Sequence, residues 1–203
     1  MVGYNLYRLL KEELKNGSNN LVTRQTGQTI RDRIERDIAK ESDRMVIAID
    51  FSEIGVIDYS CADEIIAKLM SRLLSGEYGD KYIVLTALNE NQKENIEVAL
   101  ERKDLAVIAE MRENGKILVG RLNNYLVETL DLIFQKGSIT ASELSDALKL
   151  PANTSGTRLL NLHKKRLAKR VSERRSDGTV WVYSSLTDMF VSEDSELGVM
   201  SSG

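Results

Sequence analysis

Four carboxylates crowd one short stretch of this 203-residue chain, Asp50, Asp58, Asp63 and Glu64, with the hydroxyl of Ser60 and the thiol of Cys61 among them. Carboxylates gathered near the end of a strand are what magnesium and phosphate chemistry uses, and open α/β sheets bind ligands at that end. No glycine-rich phosphate loop accompanies them, however, and Asp63 is accounted for by helix capping and the helix dipole. Cys61 is the only cysteine and His163 the only histidine. An internal disulfide, a zinc site of the Cys/His type and a Ser-His-Asp triad are thereby excluded. A thiol near a helix N-terminus can be acidic and reactive, although packing is its commoner role. These residues point to a protein that is not an enzyme and needs no metal or cofactor.

A second constellation has a different chemistry. Thr154, Thr157, Arg158, Asn161 and Lys165 follow one another at increments of three, one, three and four, so one helix face carries only polar and basic groups. Such a face suits phosphates and base edges in a major groove. Arg174 and Arg175, further along, are placed to grip the flanking backbone. Between residues 153 and 182 eight basic side chains stand against two acidic ones, a local charge of +6 within a chain of net charge −3. The remainder therefore carries −9, and a basic segment in an acidic protein marks a surface that meets a polyanion. His163 falls off the polar face and is expected to line a core.

The elements that position the first cluster are legible. Met45-Val46-Ile47-Ala48-Ile49 is a continuous branched apolar run, as a strand buried on both faces requires. After it, Ala62, Ile65, Ile66, Leu69, Met70, Leu73 and Leu74 recur at threes and fours and form the inward stripe of a helix. Ser60, three residues before Asp63, is the expected cap of that helix. A strand, a loop of the form Ile-Asp-x-Ser and a helix opening Ala62-Asp63-Glu64 together resemble the STAS domain of bacterial anti-sigma-factor antagonists, over residues 21–111. The resemblance implies an ATP-binding serine kinase as partner and a switch loop at Asp58, Tyr59 and Ser60. In the phosphorylated antagonists a serine follows the loop aspartate; here Tyr59 does, and Ser60 comes next. Ser60 is thus either a regulatory hydroxyl or a helix cap.

Around this centre, Leu6, Leu9, Leu10 and Leu14 predict an N-terminal helix over residues 4–15, an addition that packs either on the sheet or on a second copy. Leu21-Val22-Thr23 reads as a short edge strand. Ile30, Ile34 and Ile38 share one helix face, with Arg31, Arg33, Glu35 and Arg36 on a solvated one. Residues 81–88 and 105–109 read as strands, with Asn91 and Glu94 as the start of the helix between them, and residues 116–119 as either a further strand or a connection. Alternation of this kind implies a mostly parallel or mixed sheet.

Past Gly120 the pattern changes. Leu122, Tyr125, Leu126, Leu130, Ile133 and Phe134 predict a helix stopped by Gly137. Thr140 and Glu143 form a capping box for a second, ended by Pro151, and a third is expected over residues 154–167. Two strand-like runs joined by Asp177-Gly178 predict a hairpin. Three helices and a basic hairpin resemble a winged helix-turn-helix, over residues 122–186. The expected architecture is α/β: an N-terminal helix (1–20), a STAS-like mixed sheet with flanking helices (21–120), a smaller α+β winged-helix domain (121–190) and a disordered acidic tail (191–203). No apolar run is long enough for a membrane span and no leader opens the chain, so the expected location is cytoplasmic. The expected function is bacterial transcriptional regulation, a partner-binding domain joined to a DNA-binding one, with a homodimer on DNA. A protein-interaction switch or scaffold without DNA binding is the alternative, and nucleotide binding by the first domain stays open.

Overall fold

The computed structural model describes residues 1–14, 17–113, 115–175 and 178–187. Its centre is a mixed sheet of β1 (Val2–Asn5), β2 (Val46–Asp50), β3 (Tyr82–Leu88), β4 (Ala106–Met111) and β5 (Gly115–Gly120), in that spatial order. β1 to β4 run parallel, and β5 returns antiparallel to β4. Because spatial order equals chain order, successive crossovers of one hand step across the sheet in one direction and put their helices on the same side. These are α1 (Leu6–Leu14), α2 (Arg24–Ile38), α3 (Tyr59–Ala62), α4 (Lys68–Leu74) and α5 (Glu90–Glu101); a π-helical turn, Asp63–Ala67, joins α3 to α4. Their apolar stripes meet Ile47, Ile49, Ile83, Leu85, Val107 and Ala109 in one core.

The alternate residues of the same strands, Val46, Ala48, Tyr82, Val84, Ala106 and Ile108, face the other way and form a second core. It is closed by the C-terminal unit: α6 (Asn124–Lys136), α7 (Ala141–Leu148), α8 (Ala152–Lys164) and an antiparallel sheet of β6 (Ser138–Thr140), β8 (Gly178–Ser184) and β7 (Lys169–Arg175), in that order. Leu126, Leu130, Ile133, Leu159, Leu162 and Leu186 supply its apolar side. The uninterrupted apolar run of β2 is explained at this point: both faces of that strand are covered, one by helices of its own domain and one by the second unit. Polar groups pin the seam. Arg166 is ion-paired to Asp80 and lies over the Tyr82 ring, and Tyr82 Oη is 3.3 Å from His163 Nδ1. His163 therefore lines the contact between the units, where burial lowers its pKa.

Several expectations are corrected. The N-terminal helix is present as α1 and takes the first of its two expected places, against the sheet, with Leu6, Leu9 and Leu10 buried in the chain's own core; the correction is that Val2–Asn5, before it, is the edge strand of the sheet. That stripe is used internally and is not free for a second copy. Leu21 contributes only an isolated bridge to Ile57 in place of a strand. The cap of α5 is Asn89, in a reciprocal box with Gln92, and not Asn91 with Glu94. Pro151 opens α8; α7 ends at Lys149 in left-handed conformation. Gly137, at φ 75°, stops α6, and Thr140 with Glu143 forms the expected box. The hairpin turn at 176–177 and the expected disordered tail lie outside the described residues.

Candidate functional site

The loop between β2 and α3 carries the first constellation. Asp58, not Ser60, caps the helix: its Oδ1 accepts from Cys61 N at 2.7 Å and from Ser60 Oγ at 2.8 Å, while Oδ2 accepts from Thr23 N at 2.9 Å. Burial opposes the charge on Asp58, but the Cys61 and Thr23 amides and the Ser60 hydroxyl outweigh it and hold the carboxyl below its ordinary value. The Ser60 hydroxyl is thus a donor that tightens the cap. Tyr59 projects beside it, its Oη accepting from Arg102 at 3.1 Å with the guanidinium 4.6 Å over the ring. The thiol of Cys61 is buried, donates to Thr23 O, and has its pKa pushed up to about 12 by desolvation first and by Asp58 second. It has none of the thiolate character of a reactive cysteine.

Asp63 and Glu64 turn away from this loop, which the sequence did not anticipate. They lie in the π-helical turn, nearly buried, and answer four cations. Asp63 bonds Lys103 at 2.8 Å and Arg24 at 3.4 Å; Glu64 bonds Arg24 at 2.6 Å, Lys68 at 2.5 Å and the buried Arg31. Burial raises both carboxyl pKa values, yet the cations outweigh it and both end below the ordinary range. Arg31 was read as solvated; its side chain is only 7% exposed. Arg24, Gly27 and Arg31 share one face of α2, and a Cβ on Gly27 would stand 2.8 Å from Glu64 Cβ and 3.0 Å from Cys61 Cα. Glycine lets the two helices close, and the arginines above and below it reach the acids. That spacing, Arg-x-x-Gly-x-x-x-Arg against Asp-Glu, was the signal available in the sequence. The four carboxylates do not converge: Asp50 accepts from Asn5 and Ser52, away from the others. Among the described residues no group of three His, Cys, Asp or Glu side chains is placed to hold a metal ion.

The second constellation is partly brought together. Thr154, Thr157, Arg158 and Asn161 line one open groove of about 470 Å³, with Asn153 and Tyr125. Arg158 does not point outward from it. Its guanidinium bonds Glu128 at 2.9 Å and lies 5.3 Å over Tyr125, so it braces α8 against α6. Lys165 is the residue that ends α8 and stands off the groove. Lys164, which the sequence reading passed over, is exposed. On the hairpin Arg174 is exposed, whereas the side chain of Arg175 lies outside the described residues. Trp181 was also missed: it is 47% exposed, with Arg170 stacked 3.7 Å over its ring.

No protein-family model matches the chain, and no curated protein is detectably similar to it. Among the described residues no helix is long and apolar enough to cross a membrane.

Proposed function

We propose that the protein is a two-part regulator in which the C-terminal unit is a winged helix that binds nucleic acid and the N-terminal unit is a STAS-like partner-binding domain. The observation that carries this reading is the pairing of α8, whose outward residues Asn153, Thr154, Thr157 and Asn161 form a neutral polar groove wall, with a neighbouring hairpin that carries Arg170 and the exposed Arg174. Amide and hydroxyl side chains suit base edges and sugars, and exposed cations suit phosphates. Lys164, Lys165, Lys169 and Arg174 are the candidate phosphate contacts. Arg158 takes a bracing role, since Glu128 and Tyr125 already hold it.

The test is binding of labelled DNA by the full-length chain across a salt series. With about four phosphates neutralised, log affinity falls with log salt at a slope near −3 to −4. Arg174→Ala should weaken all sequences alike and flatten the slope by about one. Absence of binding at low salt would refute the nucleic-acid half of the proposal.

A second reading, a protein-interaction switch, is favoured by one feature of the N-terminal unit. Val22 and Val56 are 42% and 50% exposed on the paired segments that lead to Asp58 and Tyr59. Apolar side chains beside a fixed tyrosine and a carboxylate form a docking edge of the kind protein partners use. The partner class implied by the STAS-like resemblance, an ATP-binding serine kinase, would meet the chain there.

A further inference from the structure

We propose that the β7–β8 hairpin is a stacking platform for an unpaired base, with Trp181 as the receiving ring, so that the nucleic acid this unit prefers is single-stranded or carries an open junction. The inference rests on the nucleic-acid reading above and specifies its ligand.

Trp181 is the chain's single tryptophan. Two residues along β8, on the same side of the strand, Tyr183 is buried in the second core. Trp181 therefore continues the core-facing side of the hairpin to where the ring emerges into solvent. β6 does not accompany it, since its last pair is Thr140 with Val182. Directly across on β7 stands Ser172, too short to cover an indole. Arg170 backs the ring: its guanidinium is 3.7 Å from the Trp181 centroid and 5.8 Å from that of Tyr183, and its buried Nε has no hydrogen-bond partner. Among the described residues no acidic side chain pairs with this arginine, and its contacts are with the two rings and the Tyr183 hydroxyl. A ring held from behind loses little freedom when a second flat group settles on it.

The surroundings match a base with its phosphate. Arg174 projects from the same side of the hairpin as Arg170 and Ser172, and is exposed. A base on Trp181 places the adjoining backbone phosphate within reach of that cation. Base–aromatic stacking with a neighbouring cationic track is the usual recipe for single strands, and every base has a face to offer. A base still paired inside a duplex keeps its faces covered by its neighbours. α8, meanwhile, brings little charge to a duplex groove: its groove wall is Asn153, Thr154, Thr157 and Asn161, and Arg158 is committed to Glu128. The cations of α8, Lys164 and Lys165, stand at its C-terminal end, next to the hairpin that carries Arg170, Arg174 and the aromatic ring, whereas a helix-led duplex complex would need phosphate contacts around the N-terminal part of the helix.

The single tryptophan makes the test direct. Full-length protein is titrated with an oligothymidylate of about 15 nucleotides, a length within the span of such sites, and with a duplex of equal length, following tryptophan emission. Anisotropy of the labelled strands is measured for wild type, Trp181→Phe, Trp181→Ala and Arg174→Ala, each checked for folding by circular dichroism. The single strand should quench Trp181 and bind more tightly than the duplex. Trp181→Ala should weaken it about tenfold or more, the scale of one lost stack, with Trp181→Phe intermediate and duplex binding little changed. Tighter duplex binding with unaltered emission, or single-strand binding indifferent to Trp181→Ala, would overturn the platform and leave nucleic-acid binding standing. No binding of either form would overturn both. Emission that shifts with protein concentration alone, alongside a rise in mass by light scattering, would assign the ring to a protein interface and overturn the proposal.

Discussion

Glu64 shows how a single side chain can be chemically suggestive and structurally committed. Arg24, Arg31 and Lys68 all bond it, and it is almost wholly buried. Glu64→Gln removes the shared anionic acceptor of Arg24, Arg31 and Lys68, while Arg31 keeps Asp32 and Glu35 as partners, so it should cost about 1.5–3 kcal/mol at neutral pH, read from urea unfolding. The pH dependence has a definite sign. Asp63 and Glu64 have folded pKa values below their unfolded ones of about 3.9 and 4.3. Their contribution is fully present above those values and is lost as pH falls through the lower, folded pKa. The gap between wild type and Glu64→Gln should therefore close in acid; a gap that persists to about pH 2 would show that packing, not charge, holds the turn. The sequence suggests a capping role for Asp63, a place for both acids in a carboxylate cluster where the helix opens, and a solvated Arg31. Periodicity separates apolar from polar positions, but an arginine paired across helices and one in water look alike to it. Only Gly27, the one glycine within α2, marked the place where two helices touch.

At the level of elements, the strands with continuous apolar runs were the most legible, because a run such as Val46-Ile47-Ala48-Ile49 has few other uses. β1 was missed for the opposite reason. Val2-Gly3-Tyr4-Asn5 is short, contains glycine and asparagine, and runs straight into the Leu6, Leu9 and Leu10 stripe, which dominates the pattern. The start of α3 was displaced by two residues. Asp58 and Ser60 are both good cap types, and what decides between them is Thr23, distant in sequence, whose amide bonds Asp58. Asp58→Ala should thus cost about 2 kcal/mol, near the top of the capping range, and Ser60→Ala less than about 1.5 kcal/mol. The reverse order in thermal or urea unfolding would contradict the cap assignment. Ser60→Asp sets a second carboxylate against Asp58 and should be less stable than Ser60→Ala. A phosphate on Ser60 would act in the same direction, loosening the cap rather than reinforcing it.

The whole molecule is less divisible than its sequence suggests. The change in pattern at Gly120 suggests a boundary there, but the packing across it is not legible, since no periodicity tells which foreign surface a strand's second face will meet. Cutting there exposes Val46, Ala48, Tyr82, Val84, Ala106 and Ile108 on one fragment and Leu126, Leu130, Ile133, Leu159 and Leu162 on the other. Residues 1–120 and 121–203 made separately should be aggregation-prone and lower-melting than the full chain, and mixing them should restore solubility; two well-behaved independent fragments would contradict the shared core. The join itself sets a limit on motion. β5 ends at Gly120 and α6 begins at Asn124, so three residues connect them, and the first is anchored by Arg121 N donating to Leu105 O. Three residues span about 10 Å at full stretch. With so short a leash the start of α6 stays within about 10 Å of the end of β5, so a displacement of the C-terminal unit would begin as a rotation about that join. Such a rotation would turn on the Tyr82–His163 seam, the motion of a rocker on its pivot.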